Sequence, residues 1–443
     1  MHSVSKKRSL TFIAITLFAV LSLSISFAFR TNANAATDPG HQVLPANDGW
    51  AAASGGTTGG AAAAAANVYT VTTRAQLVTA LGGAKSTSTT PRIIYVSGTI
   101  YGNQSDSGTT LSCSSYITGG YSLSAYLAAY DPAVWGRTSV PSGTQETARA
   151  ASEANQAARV KIYIPSNTTI VGNAGARIVG ANFLVNNASN VIIRNLQFEN
   201  ASDCFPQWDP TDGSTGNWNS ALDNLSVIGS THVWIDHNTF TDASQPDSSE
   251  PTYFGRLYEQ HDGECDITKA ADLVTVSWNI FSNHDKTMLI GSSDSSTVDT
   301  GKLRVTVHHN EFSNTLEREP RVRFGQDHVY DNYYSEASNS QFQYALGVGI
   351  SSQIYNQNNY YQVASSFSTA KIIAVYKGTE LYTTGDIVNG ASVNILTAYN
   401  AANSTKLSTS VGWTPQYHLA VDATSLVPSL VQSGAGSGHT LTA

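Results

Sequence analysis

A short motif recurs from residue 235 onward in this 443-residue chain, and it limits the possible folds more than any other feature. The copies are Ile235-Asp236-His237-Asn238-Thr239-Phe240, Val276-Ser277-Trp278-Asn279-Ile280-Phe281, Val307-His308-His309-Asn310-Glu311-Phe312, Val329-Tyr330-Asp331-Asn332-Tyr333-Tyr334 and Tyr355-Asn356-Gln357-Asn358-Asn359-Tyr360. Each sets an apolar residue three before an Asn and an aromatic two after it. A looser copy surrounds Asn195, with Ile192 before and Phe198 after. The Asn-to-Asn spacings from Asn238 are 41, 31, 22 and 26 residues. Repetition on this scale marks a solenoid, in which each unit buries its apolar face against its neighbours. The shortest spacing suits one coil of a parallel β-helix, and the longer ones add loops.

Local pattern agrees. Val274-Thr275-Val276 and Val305-Thr306-Val307 alternate as strands with one face inward. Asn is disfavoured within strands, but a buried Asn at one point of every coil can hydrogen-bond to its neighbours up and down the stack. The repeat Asn residues are therefore expected to be structural. His308 and His309 look like a metal pair, yet adjacent strand residues point to opposite faces, so a structural role is expected for them too. Thr73 to Leu81 predicts a helix capping the open N-terminal end. Ser122–Tyr130 and Gln145–Ala158 have helical composition and suggest an insertion over about 120–160. Beyond Thr379 the strand pattern becomes irregular, as for a tail, about 380–443, packed on the outside.

Charge is scarce: 13% of residues are Asp, Glu, Lys or Arg, against roughly 25% in an average domain. The formal net charge of −8 disfavours nucleic-acid binding, which needs a basic surface. Residues 1–35 read as a secretory signal peptide. Lys6, Lys7 and Arg8 precede an apolar run from Leu10 to Phe29, and Ala33-Asn34-Ala35 supplies a cleavage site. Residues 36–443 would then be one exported domain, with no membrane contact after cleavage and a monomeric state expected. Removing Lys6, Lys7, Arg8 and Arg30 takes the charge from −8 to −12. The three cysteines, Cys113, Cys204 and Cys265, allow at most one disulfide and match no zinc spacing.

Measured back from the repeat Asn of its own coil, Asp223 lies 15 residues away, Asp262 and Asp266 17 and 13, Lys286 24, and Arg318 14. Equal positions on successive coils stack about 4.8 Å apart, so these residues are expected to form one column. Carboxylates gathered this closely cannot all ionise without a cation. Their hard oxygens suit Ca²⁺. In Arg318-Glu319-Pro320-Arg321-Val322-Arg323-Phe324-Gly325, arginines alternate with apolar residues, and guanidinium groups are the natural partners of carboxylates. A cation site flanked by Lys and Arg points to an acidic, polymeric substrate.

Trp234-Ile235-Asp236-His237, Asp262-Gly263-x-x-Asp266, Val274-Thr275-Val276-Ser277-Trp278, His284-Asp285-Lys286 and the Arg318–Gly325 run together resemble polysaccharide lyase family 1, the pectate lyases. The likeness extends from Gly55-Gly56-Thr57-Thr58-Gly59-Gly60 to Val411-Gly412-Trp413-Thr414-Pro415, and it is nearest to secreted Bacillus-type members at Phe205-Pro206-Gln207-Trp208-Asp209-Pro210-Thr211-Asp212-Gly213. It implies an all-β, right-handed, single-stranded parallel β-helix with a helical N-terminal cap and long loops on one side. The glycine-rich 55–60 stretch, which composition would make a linker, becomes an ordered first turn.

By position, the resemblance assigns Asp223, Asp262 and Asp266 to calcium, Lys286 and Arg323 to substrate binding, and Arg318 to proton abstraction. The implied reaction is β-elimination on α-1,4-polygalacturonate, with an alkaline optimum. Two departures from the pattern stand out: Glu319 beside the expected base, and Asp331 where an Asn is usual. From residue chemistry alone Lys286 is the easier base, since guanidinium normally stays protonated. The competing readings are a calcium-independent pectin lyase, a hydrolytic polygalacturonase with paired carboxylates, and a non-enzymatic β-helical adhesin.

Overall fold

The structure is a computed structural model that describes residues 1–2, 38–439 and 441. Apart from its first two residues, the expected signal peptide lies outside the described residues. Thr37–Ala443 make one compact unit. Among the described residues no helix is long and apolar enough to cross a membrane.

Every coil visits three parallel sheets in turn. Sheet A has eight strands, including Leu225–Ile228, Cys265–Thr268, Leu289–Ile290 and Arg321–Val322; sheet B has ten, including Thr231–Asp236, Asp272–Ser277, Arg304–His308, Gln326–Tyr330 and Gln353–Gln357. Sheet C has ten, including Thr239–Thr241, Ile280–Lys286, Glu311–Glu317, Tyr333–Glu336 and Tyr360–Val363. The expected parallel β-helix is what forms. The alternation read from the sequence sets the register: Val276 pairs with Val307 and Val307 with Val329, all buried inward. On the outer face of sheet B, the Thr275 and Thr306 hydroxyls accept the Ala51 and Trp50 amides at 3.1 and 2.9 Å.

From Arg194 onward the corner between sheets B and C is two residues long and carries the Asn ladder. Asn238 N–H donates to Asn279 Oδ1 at 2.9 Å, Asn279 to Asn310 at 2.9 Å, Asn310 to Asn332 at 2.9 Å, and Asn332 to Asn359 at 2.8 Å. Their Nδ2 groups donate to buried carbonyls such as Ile193, Ile235, Val276 and Val307. Phe198, Phe240, Phe281, Phe312, Tyr334 and Tyr361 stack beside them at 4.4–5.2 Å.

Two copies of the motif shift by one residue. In the last coil the ladder runs through Asn359, not Asn358, because Tyr361 and not Tyr360 aligns with Tyr334. In the coil of Asn195, Phe198 aligns with Phe240, so Leu196 holds the ladder position and contributes only its N–H, to Asn238 Oδ1 at 3.1 Å. Asn195 and Asn358 instead occupy the preceding corner position, where His237, Trp278, His309 and Asp331 also take φ of 51–58°. That conformation corrects a further expectation. His309 is a corner residue, not a strand residue, so its ring turns onto the same side as His308 and the two Nδ1 atoms lie 2.8 Å apart.

The ends and flanks follow their local signals. Helix Arg74–Leu81 starts at Thr73, whose side chain accepts the Gln76 amide, and it buries Leu77 and Leu81. Helices Leu123–Tyr130 and Thr144–Val160 form the insertion, around buried Tyr126, Trp208 and Trp218. A Cys113–Cys204 disulfide ties it to the coil stack, and Cys265 is a free thiol buried in the core. The glycine-rich segment is ordered, but it crosses the outer face of sheet B rather than forming a first coil. Gly60 donates to Thr169 Oγ1, and a Cβ on it would meet Arg92 O at 1.9 Å. At the C-terminal end helix Ile395–Ala402 covers the core with Ile395 and Leu396. The tail then returns along the outside, with Trp413 against Trp50 at 5.7 Å and Asp422 beside His309.

Candidate active site

The five residues expected in one column stack in part: Asp223, Asp262, Lys286 and Arg318 fall within one residue of a common level on successive coils at the entry to sheet A, while Asp266 lies three residues further along its strand. Register explains why. Leu225 pairs with Cys265, which sets Asp223 level with Gly263, and Lys286 pairs with Glu317. Asp262 lies one residue earlier, Arg318 one later, and Asp266 within the strand Cys265–Thr268. Cys265 and Ile267 point into the core, so Asp266 faces outward. Asp262 sits in the loop before that strand.

Three carboxylates converge here. Asp223 Oδ1 accepts the Gly263 amide at 2.9 Å, and its Oδ2 accepts the Ser226 hydroxyl at 2.5 Å. Asp266 Oδ1 accepts the Leu289 amide at 2.9 Å, and it lies so close to Gly263 that a Cβ there would come within 2.2 Å. Burial, with Asp262 beside it, pushes Asp223 up to about 6. Burial, with Asp223 and Asp262 beside it, pushes Asp266 well above the usual carboxylate range. Such a set is strained until positive charge enters it.

The cations lie against the same group. Lys286 Nζ is 4.0 Å from Asp262 Oδ1 and pairs at 2.6 Å with Glu259 Oε2. Burial would lower its pKa, but Glu259 and Asp262 outweigh that and hold the ammonium charged. The carboxylates thus hold Lys286 in its protonated form. Arg318 adopts φ 64° and its Nε donates to Glu317 at 3.1 Å. Glu317, Asp262 and Asp266 overcome the effect of burial and raise its pKa. Arg323 stands further along sheet A, donating to Asp294 Oδ1 and Gly291 O at 2.8 Å each.

Glu319 does not shape the surroundings of Arg318 directly. Its side chain is fully buried and accepts the Thr315 hydroxyl at 2.5 Å, near Glu336. The acid that touches Arg318 is Glu317. Glu259, Glu317 and Asp294 were missed in the sequence because none belongs to the Asn frame. His284 was quoted only as part of a motif. It is held by Asp242 Oδ2 at 2.7 Å and lies 2.6 Å from the Asp262 carbonyl through Nε2, which braces the Asp262 turn.

The family profile described as "Pectate lyase" matches residues 137–440. The chain belongs to the pectate lyase family. A curated Bacillus subtilis pectate lyase is 53% identical over 411 residues, covering 92% of this chain and 95% of the relative. Pectate lyase E of Dickeya dadantii is 32% identical over 395 residues, covering 86% and 84%. Among solved structures, a mutant of the Bacillus subtilis pectate lyase superposes with a TM-score of 0.86 at 52% identity, covering 90% of this chain and 99% of that one. A pectate lyase bound to a hexasaccharide gives the same figures. The protein is therefore a polysaccharide lyase, which excludes the hydrolase and adhesin readings.

Proposed function

We propose that this pectate lyase is secreted, acts as a monomer, and cleaves α-1,4-polygalacturonate by calcium-dependent β-elimination, leaving an unsaturated sugar end. The observation that carries the proposal is the trio Asp223, Asp262 and Asp266, in which burial and the neighbouring carboxylates raise the pKa of Asp223 and Asp266, beside Lys286 and Arg318. Only hard oxygen donors are offered, and the cradle over Gly263 brings Asp266 in close; both fit Ca²⁺. When bound, the ion supplies positive charge beside the uronate carboxylate and relieves the repulsion among the aspartates.

The chain's own residues do the rest. Removing the C5 proton next to a carboxylate builds a doubly negative, enolate-like species. Lys286 and Arg323 are fixed cations that stabilise this charge without reorganising. Arg318 accepts the proton, and the C4–O bond then breaks. Glu317, Asp262 and Asp266 keep its guanidinium protonated, so neutralising these aspartates and working at alkaline pH both favour it as a base. An optimum on the acid side of neutrality would refute an arginine base. Arg318→Ala should lower kcat by about 10²–10⁴. If Arg318→Lys kept most activity while Lys286→Ala abolished proton abstraction, the two roles would be exchanged.

The deciding experiment follows the ultraviolet absorbance of the unsaturated product on polygalacturonate, with CaCl₂ and with EDTA. Turnover lost in EDTA and restored by calcium is expected. Turnover that survives EDTA and prefers methyl-esterified pectin would establish the pectin lyase reading instead.

A further inference from the structure

A second cluster of ligand atoms lies away from the Asp223–Asp266 group, at the corner between sheets B and C. His308 Nε2 is 2.9 Å from Asp48 Oδ1, and its Nδ1 is 2.8 Å from His309 Nδ1. His309 Nε2 is in turn 2.9 Å from Asp422 Oδ2 and 3.8 Å from Asp331 Oδ2. One of the two facing Nδ1 atoms must donate to the other; in the tautomer in which His309 donates, its Nε2 carries a lone pair that faces the Asp331 and Asp422 carboxylates.

One oxygen of the group is left without a partner: Asp331 is fully buried and its Oδ1 has no hydrogen bond, while its Oδ2 accepts the Asp422 amide at 2.9 Å. One nitrogen and two carboxylates thus converge, with ligand atoms all within 4.8 Å of one another.

We propose that His309 Nε2, Asp331 Oδ2 and Asp422 Oδ2 form a binding site for a divalent transition-metal ion, of which Zn²⁺ is the type. One imidazole with two carboxylates is a donor set for borderline ions, whereas calcium selects oxygen alone. The outer partner matches as well: a ligating histidine usually donates its other N–H to a fixing group, and here His309 Nδ1 lies 2.8 Å from His308 Nδ1. His309 and Asp331 sit on adjacent coils and Asp422 on the returning tail, so the ion would clamp that tail to the stack. The presence of Asp331, where this family usually has Asn, becomes a ligand rather than a folding detail.

The test uses the full chain, stripped with chelator and then held in saturating CaCl₂ to fill the oxygen site. Titration with CoCl₂ should give one equivalent bound, with visible absorption bands of a low-coordinate ion that ZnCl₂ abolishes. ZnCl₂ should also raise the melting temperature. Asp331→Asn and Asp422→Asn should each weaken Co²⁺ binding by at least about tenfold and remove the Zn²⁺-dependent melting shift, while lyase activity persists. Absence of Co²⁺ binding in the parent would overturn the proposal, as would unchanged binding in both variants. Asp422→Asn, on the exterior tail, decides the matter if Asp331→Asn fails to fold.

Discussion

The Asn ladder ends on a carboxylate, and that termination has a measurable cost. Asp386 Oδ1 accepts the Asn359 amide at 3.2 Å, and both of its oxygens accept from Asn356 Nδ2 at 2.9 Å. Burial nevertheless pushes Asp386 up to about 8. The folded state therefore holds a proton that the unfolded chain has released above about pH 4. Its favourable contribution is fully present below that pH and is lost as pH rises through about 8. Between those limits the loss is about 1.4 kcal/mol per pH unit, on the order of 5 kcal/mol in all. Asp386→Asn keeps the acceptor for Asn359 but meets Asn356 Nδ2 with a second donor, losing about 1 kcal/mol. The variant should thus melt below the parent at pH 3 and above it at pH 9. Thermal midpoints taken at unit intervals of pH would reveal the crossover. A difference between the two proteins that stays constant with pH would refute the assignment of a raised pKa to Asp386.

Three further outcomes are expected. Phe281→Ala opens the middle of the aromatic stack, where both neighbours lie within 5.2 Å, and should cost about 3–5 kcal/mol, read by denaturant unfolding. Replacing both Cys113 and Cys204 by Ser frees a 91-residue loop and should cost about 2–5 kcal/mol; reduction of the parent should reproduce that change in melting temperature. Asp266→Asn should raise the calcium concentration needed for half-maximal lyase activity and weaken calcium binding by calorimetry, leaving the circular dichroism spectrum unchanged.

The fold was legible because its repeating unit solves a problem that each coil shares: the polar groups of a buried corner. Asn238, Asn279, Asn310 and Asn332 announce that solution at matching positions. The signal failed where composition was ambiguous, at the adjacent pair Asn358 and Asn359, and at Leu196, which fills the ladder position without a side-chain amide. Within the site, Asp223, Asp262, Asp266, Lys286 and Arg318 were picked out by chemistry and resemblance, and the register stacks all but Asp266 to within one residue. Glu259 lies in a loop, outside any frame, so only three-dimensional proximity to Lys286 discloses it. The contact between His308 and His309 was hidden for a different reason. It depends on a positive φ at a corner, which a strand pattern does not express.

From Arg194 onward the corner between sheets B and C stays two residues long, although the repeat spacing ranges from 22 to 41 residues. Over that stretch the variation in length falls at the other two corners, with long excursions at 242–264 and 291–303. A molecule built this way has a spine and a margin. The spine dictates pitch and tolerates no insertion, while the margin can be lengthened, shortened or exchanged without altering how one coil sits on the next. Grafting a foreign loop at 242–264 should therefore re-shape substrate recognition while leaving the scaffold's cooperativity intact, whereas a single residue added between Trp278 and Asn279 should abolish folding.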